Sequence, residues 1–377
     1  MRIGLDAMLL SGRYSGVENY ILNLTRHLGG APGAEVTAFV PRGFRRAALR
    51  THGPVCIRRA LVGGGIRSLR IAWEQLWLPF KLVGSGVDLV HFPGSIHPIT
   101  KGIATVLTVH DAIAVTTPDL CDPGNTRYYA RFMPRSVARA TRIITPTAAV
   151  KDDICRLFKA DPGRVDVIPM GTDIAGAPAA APVRRIYGLG DAPYILFVGN
   201  REPKKGLVLL VKALFAAVMH RELDCWLVIA GHKGWRQGGF ERLLRELGPR
   251  FGERVIMPGY VPEAHLAGLY REATLFVFPS LLEGFGIPPL EAMACGTPVL
   301  LSDTSALREV YQGHAHFFRN GDLPDLRTKL ETLMTDPAQR LEHAAGAREW
   351  AAGMTWAQCA QKTLATYRQA IRDHSGK

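Results

Sequence analysis

The sequence predicts an α/β protein built on two doubly wound parallel sheets. Three observations predict it. Strand-like apolar runs alternate with helix-like segments along the chain, and the alternation restarts near residue 194. A stretch rich in Ala, Pro and Gly, Ile174 to Pro182, separates the two series. At 377 residues and 47% hydrophobic content, the chain is long enough to bury two cores. The expected division is 1–180, 181–355 and a C-terminal helix, 356–377, packing across both domains.

In the first series, apolar runs at 2–9, 35–40, 88–92, 103–110, 142–146 and 165–169 are short and continuous, as strands buried on both faces of a parallel sheet should be. Between them, 16–29, 68–83, 123–140 and 147–159 have helical length and periodicity. The second series runs through strands at 194–199, 226–230, 255–257, 275–278 and 298–301. Its helical stretches lie near 206–219, 238–248, 262–271 and 286–295. Beyond 322 the pattern is helical throughout, ending in a helix from about Trp356 to Arg372.

Composition narrows the function classes. No apolar run reaches transmembrane length, and the N-terminus leads directly into a strand without a signal-peptide layout. The six cysteines are scattered and lack a Cys-x-x-Cys, which predicts reduced thiols and a cytoplasmic setting. No His/Cys cluster or Asp-x-Asp sequence suggests a metal.

The formal net charge is +13. Residues 1–185 hold 24 Lys/Arg against 13 Asp/Glu, a net of +11, so the excess lies in the first half. Such a field suits anionic partners, phosphorylated substrates or anionic lipid headgroups, and equally suits a solvated basic surface. Trp73, Trp77 and Phe80, behind Arg67 and Arg70, read either as a core stripe or as a membrane-docking face. Nucleic-acid binding would rest on charge alone and is not expected.

The most informative segment is Phe278 to Glu291. It follows the apolar run Ala273 to Phe278 and leads into a helix of small residues closed by Gly296. Glu283 and Glu291 flank the turn Gly284-Phe285-Gly286 at the carboxyl end of a strand, where open α/β sheets bind ligands. Glycines let backbone amides approach an anion, and the helix start favours it. Carboxylates accept from hydroxyls. A ligand with anionic groups and many hydroxyls is a nucleotide sugar.

Other residues fit such a ligand. Lys204 and Lys205 follow the strand Tyr194–Val198 as charges suited to a diphosphate, or as a solvated pair. His110, ending the strand Ala104–Val109, could donate to a phosphate or sugar oxygen, or be a satisfied core imidazole. Asp111 suits a loop cap. Gly16 opens a helix behind the loop that begins at Ser11, and Ser15 with Glu18 has capping-box spacing, which makes Glu18 structural.

Taken in order, Gly12-Arg-Tyr-Ser-Gly16-Val-Glu-Asn-Tyr20, Thr108-Val-His110-Asp111, Val167-Ile-Pro-Met-Gly171-Thr-Asp173, Val198-Gly-Asn-Arg-Glu-Pro-Lys-Lys205-Gly-Leu207 and Phe278 to Glu291 resemble the retaining glycosyltransferases of family 4 (group 1). The branch most similar includes bacterial O-antigen and exopolysaccharide mannosyltransferases. The resemblance implies the GT-B architecture, two facing Rossmann-like domains with the donor in the second. It implies that Glu291 receives the donor ribose hydroxyls and that Glu283 contacts the donor sugar. Lys205 would be the donor-phosphate lysine, and Gly284, Phe285 and Gly286 would offer backbone donors. His110 would stand beside the donor sugar, and the Gly16 loop would approach the phosphates. Many members carry Arg where this chain has Asn200, so Arg201 or Lys204 would supply the second cation.

The implied activity is retaining transfer of a hexose, mannose-type favoured, from a nucleoside diphosphate to a glycan or lipid-linked acceptor in cell-surface polysaccharide synthesis. It would need no metal or other cofactor. Peripheral contact with the inner face of the cytoplasmic membrane, through the basic N-terminal domain, would suit a lipid-linked acceptor. The alternatives are a nucleotide-sugar epimerase on the same architecture and a non-catalytic sugar-nucleotide-binding partner subunit.

Overall fold

The computed structural model describes residues 1–12, 15–176, 182–221, 223–234 and 238–376. Arg13 and Tyr14 of the first glycine loop, and 177–181 of the Ala/Pro stretch, lie outside the described residues. The chain forms two compact units. One comprises Met1–Pro118, Pro123–Gly171 and Trp356–Lys377; the other comprises Asp119–Asp122 and Thr172–Thr355.

The first unit carries a seven-stranded sheet: β1 (Arg2–Asp6), β2 (Glu35–Val40), β3 (Val55–Arg59), β4 (Leu89–Phe92), β5 (Ala104–Thr108), β6 (Arg142–Thr145) and β7 (Val165–Val167). The order is β3-β2-β1-β4-β5-β6-β7, and every pairing is parallel. The order reverses direction at β1 and β4, the switch point where such sheets open a crevice at their carboxyl ends. β4 and β5 are buried along their whole length, which is why they read as unbroken apolar runs.

The segment expected as one helix at 68–83 is split. Helix Arg67–Ala72 passes into a π-helical turn, Trp73–Trp77, before helix Leu78–Leu82. The extra residue of a π turn rotates the following side chains off the original stripe. Trp73 is therefore buried in the first core, while Trp77 and Phe80 are 58% and 75% exposed. The stripe is part core and part surface.

The last helix, Trp356–Ser375, belongs to the first unit, packing on helix Gly16–Leu28 and on β4, β5 and β6. A buried polar chain fixes it. The Tyr367 hydroxyl lies 2.7 Å from His91 Nδ1, and His91 Nε2 lies 2.7 Å from Thr108 Oγ1, which also meets the Tyr20 hydroxyl. At the far end Arg142 bridges Asp166 and Asp373.

The second unit has six parallel strands: β8 (Tyr194–Val198), β9 (Trp226–Ala230), β10 (Val255–Gly259), β11 (Leu275–Phe278), β12 (Val299–Ser302) and β13 (His316–Phe318). Their order is β10-β9-β8-β11-β12-β13, again reversing between two neighbours, β8 and β11. Both loops carrying the lysine pair and the two glutamates thus leave adjacent strands at the switch point. Among the described residues, no helix is long and apolar enough to cross a membrane.

Candidate functional site

The second unit brings its two predicted loops together. After β8 the chain makes a 3-10 turn, Pro203–Lys205, ended by Gly206 at φ +68°. A side chain there would be strained by that φ and would strike the Pro279 carbonyl oxygen, 2.0 Å from where its Cβ would stand. Glycine is what allows the β8 loop to lie against the β11 loop. The Leu281 amide then donates to the Lys204 carbonyl at 2.8 Å.

Across this junction Lys205 Nζ lies 2.6 Å from Glu283 Oε1. Both side chains are largely shielded, and the ammonium also stands 5.1 Å from the centre of the Phe278 ring. Partial burial beside a carboxylate and an aromatic face fixes the lysine as a point charge. The pair is a finished electrostatic unit, each charge meeting the other.

Gly286 opens helix Ile287–Ala294 at φ +84°, and its carbonyl accepts from the Tyr311 hydroxyl. The Phe285 ring is buried and packs near Tyr311, so this residue offers its backbone alone. The helix start is weaker as an anion site than its sequence position suggests. Pro288 and Pro289 occupy its first turn and carry no N–H, leaving the positive end with few donors. Donors suited to an anion here are Lys205 and the amides before the prolines.

Glu291 lies one turn deeper. Its Oε2 accepts from the Tyr270 hydroxyl at 2.9 Å. Burial pushes its pKa up to about 7; the Tyr270 bond opposes the shift and Glu263 adds to it. A carboxylate poised near neutrality and held by one donor retains lone pairs for further hydroxyls.

Arg201 and Lys204 make contacts on other sides of the loop. Arg201 Nη1 donates to Met257 Sδ on β10, at 3.0 Å, and its amide donates to the His232 carbonyl. The guanidinium therefore serves the β9–β10 side of the loop cluster, and Lys204 serves the junction through its carbonyl.

Sequence reasoning missed four residues here: Tyr270, Tyr311, His232 and Tyr260. The tyrosines at 270 and 311 read as ordinary inward helix positions. His232 follows β9 and stacks on Tyr260, which follows β10, with ring centres 5.3 Å apart and planes 13° apart. A histidine directly after a strand-end glycine was the available signal. Three buried polar atoms lack hydrogen-bond partners at the carboxyl ends of β9, β11 and β12: His232 Nε2, Ser280 Oγ and Thr304 Oγ1. Buried polar groups are normally satisfied, so these three atoms are open to a ligand or to water.

In the first unit, His110 lies two residues beyond the end of β5. Its Nε2 is 2.8 Å from the Pro93 carbonyl, and its ring meets Tyr20 edge-on at 4.9 Å. Burial lowers its pKa, and the Pro93 bond and Asp111 oppose that. A carbonyl only accepts, so Nε2 holds the proton and the neutral ring presents Nδ1 as a lone pair. This tautomer leaves Nδ1 of His110 as an acceptor.

Asp111 caps its loop through the Ile113 amide. Glu18 is structural, its Oε1 accepting from the Ser11 amide and hydroxyl while Ser15 Oγ accepts from the Glu18 amide. Gly16 is exposed at the helix start, with no described atom within 4 Å of where a Cβ would stand.

The sequence pattern described as "Glycosyltransferase Family 4" matches residues 14–175, and that described as "Glycosyl transferases group 1" matches residues 183–350. The O-antigen chain mannosyltransferase B of Escherichia coli is 31% identical over 268 residues, covering 70% of each chain. The chain belongs to the group 1 glycosyltransferases. A D-inositol 3-phosphate glycosyltransferase from Thermobispora bispora is 29% identical over 96% of this chain and 91% of its own.

The fold of this glycosyltransferase is GT-B. A sucrose-phosphate synthase from Thermosynechococcus elongatus superposes with a TM-score of 0.75 at 20% identity, covering 99% of both chains. Anabaena HepE in complex with UDP and glucose gives 0.73 at 19% identity, over 98% of this chain and 100% of its own. The chain is thus a hexosyltransferase by family and a member of the GT-B fold by architecture.

Proposed function

We propose that this glycosyltransferase moves a hexose, mannose-type favoured, from a nucleoside diphosphate to a glycan or lipid-linked acceptor in surface polysaccharide synthesis. The observation that carries the reading is the Lys205–Glu283 pair at the switch point of the second sheet, with Glu291 beneath it. The mannosyltransferase relative, acting in O-antigen synthesis by its name, supports the sugar and the pathway class.

In this reading Lys205 and the amides before Pro288 take the diphosphate, and Glu291 takes the ribose hydroxyls. Glu283, released from Lys205, accepts from the donor sugar. The anomeric carbon keeps its configuration: the departing diphosphate takes the acceptor proton on the face it leaves, and fixed charges stabilise the developing negative charge. No metal is required in this scheme, and the protein works in the cytoplasm.

The direct test supplies donor panels, GDP-mannose against UDP-glucose and UDP-GlcNAc, with and without acceptor. Acceptor-dependent nucleotide release with one donor preferred supports transfer. Conversion of the free sugar nucleotide without acceptor would point to an epimerase, and binding without turnover to a partner subunit.

Membrane contact is a second part of the proposal. Leu76, Trp77, Phe80 and Ile99 are all more than half exposed. Gln75 and Ile99 also line a surface cavity of about 330 Å³ with Arg131, Arg135 and Arg139, three arginines of one helix spaced four apart. Apolar side chains beside cations suit an anionic lipid surface. Co-sedimentation with phosphatidylglycerol vesicles should exceed that with phosphatidylcholine and should fall in a Trp77→Ser/Phe80→Ser variant. Equal recovery with both lipids would remove this part.

A further inference from the structure

We infer that His316, Glu342 and His343 form a divalent transition-metal site that staples the edge of the second sheet to a helical corner. Each offers one ligand atom, and these atoms lie within 4.8 Å of one another. His316 begins the edge strand β13. Glu342 and His343 form the corner between helices Pro337–Leu341 and Ala344–Ala352, where His343 stands as an N-cap without capping through its side chain.

The corner is already tied to the strand. The His316 and His343 rings lie 4.9 Å apart, and His316 Nε2 lies 3.3 Å from the Arg340 carbonyl. That carbonyl can only accept, so the proton is on Nε2 and Nδ1 carries the lone pair. Histidines that bind metals are commonly oriented in this way, by a carbonyl on the other ring nitrogen. Tetrahedral zinc with bonds of about 2.0–2.1 Å sets its donors roughly 3.3 Å apart. The three groups need only modest side-chain rotation to close on an ion, and Glu342 is exposed enough to make it.

Two imidazoles and one carboxylate favour zinc-like ions over magnesium or calcium, which prefer oxygen ligands throughout. The fourth position is left for water. His316 pairs with Leu300, which is level with Val277 near the end of β11, so the cluster is set apart from the Lys205 and Glu283 loops by lying on the edge strand, two strands from β11. The ion would sit at that edge and act as a structural staple. It has a route to rigidity in the donor loop. Helix Ala344–Ala352 packs on helix Ile287–Ala294, and Trp350 meets both Tyr311 and His314.

The test uses untagged, chelator-stripped full-length protein titrated with Zn²⁺ by calorimetry and with Co²⁺ by visible absorption. The expected result is one ion per chain, a tetrahedral Co²⁺ spectrum, a raised Tm, and affinity at least about tenfold weaker in His316→Ala and His343→Gln. Circular dichroism checks that both variants fold, and sugar transfer by His343→Gln should match the parent. EDTA should lower Tm and leave transfer intact. No binding, or binding that neither substitution weakens, would overturn the assignment.

Discussion

Lys205 Nζ lies 2.6 Å from Glu283 Oε1, and this one contact joins two loops whose residues are 78 positions apart in the chain. It links the segment that follows β8 to the segment that precedes the Glu291 helix. In the absence of donor, each charge satisfies the other. In the proposed complex the diphosphate competes for the lysine, and the sugar competes for the carboxylate.

Glu283→Gln should therefore impair transfer far more than folding. Glutamine keeps the shape and one acceptor oxygen but cannot balance the ammonium. A hydrogen bond to a charged group contributes about 1.5–3 kcal/mol, so kcat/KM should fall about tenfold or more. Tm should also fall, because the pair is largely shielded and glutamine leaves the ammonium unbalanced, but proportionally less than activity. Equal proportional losses of Tm and activity would make Glu283 a structural residue.

Donor affinity should depend on pH through Glu291. Its folded pKa, about 7, lies above the ordinary carboxylate value because of burial. Donor KM should therefore fall as pH rises from 6 to 8, as the ionised, accepting form becomes dominant. The stability contribution has the opposite sign. The unfolded carboxyl ionises first, so stability conferred by this group is full at acid pH and is lost between about 4.5 and 7. Glu291→Gln should flatten both trends, as read by donor KM and urea midpoints across that range.

Gly286→Ala should distort the donor turn. A Cβ there would stand 2.9 Å from Leu307 Cδ2, on a backbone at φ +84°. A destabilisation of about 1–3 kcal/mol follows from the strain. Tyr311→Phe removes the hydroxyl that the Gly286 carbonyl accepts from, at a cost of about 1 kcal/mol, and leaves the φ unstrained. Urea unfolding of both variants should rank the alanine as the more damaging; the reverse order would place the turn's stability in the tyrosine.

Acid should weaken the first unit through His91. Burial pushes its pKa down to about 3, with repulsion from His110 adding to the shift. The unfolded imidazole takes a proton near 6.5, so stability falls as pH drops from about 6.5 towards 3. His91→Gln should reduce that slope while lowering stability at pH 8, where the links to Tyr367 and Thr108 are intact in the parent. An unchanged slope would assign acid sensitivity to other groups.

The buried strands were legible because their sequences are apolar on both faces: β4, β5, β8 and β11 all lie within the runs that announce them. Two of the edge strands, β3 and β13, were not. β3, Val-Cys-Ile-Arg-Arg, is mostly exposed, and β13 has three residues, so neither forms an apolar run. The π turn at Trp73–Trp77 leaves no local signature, which is why the fate of Trp77 and Phe80 could not be read. Of the candidate site, the two strand-end loops that carry Lys205, Glu283 and Gly286 were legible. The site was illegible where partners come from distant helices, as with Tyr270 beneath Glu291, or where direction matters, as with the His110 proton. The clustering of His316 with Glu342 and His343 also required the fold, because Glu342 lies 26 positions beyond His316.

The central claim is that Lys205 holds the donor diphosphate, and calorimetric titration of nucleoside diphosphate tests it most directly. GDP and UDP are each titrated into the parent protein and into Lys205→Ala. The account predicts saturable binding of one of them to the parent and at least about tenfold weaker binding to the variant, as expected for a lost charge-assisted bond. Equal affinity in both proteins would contradict it.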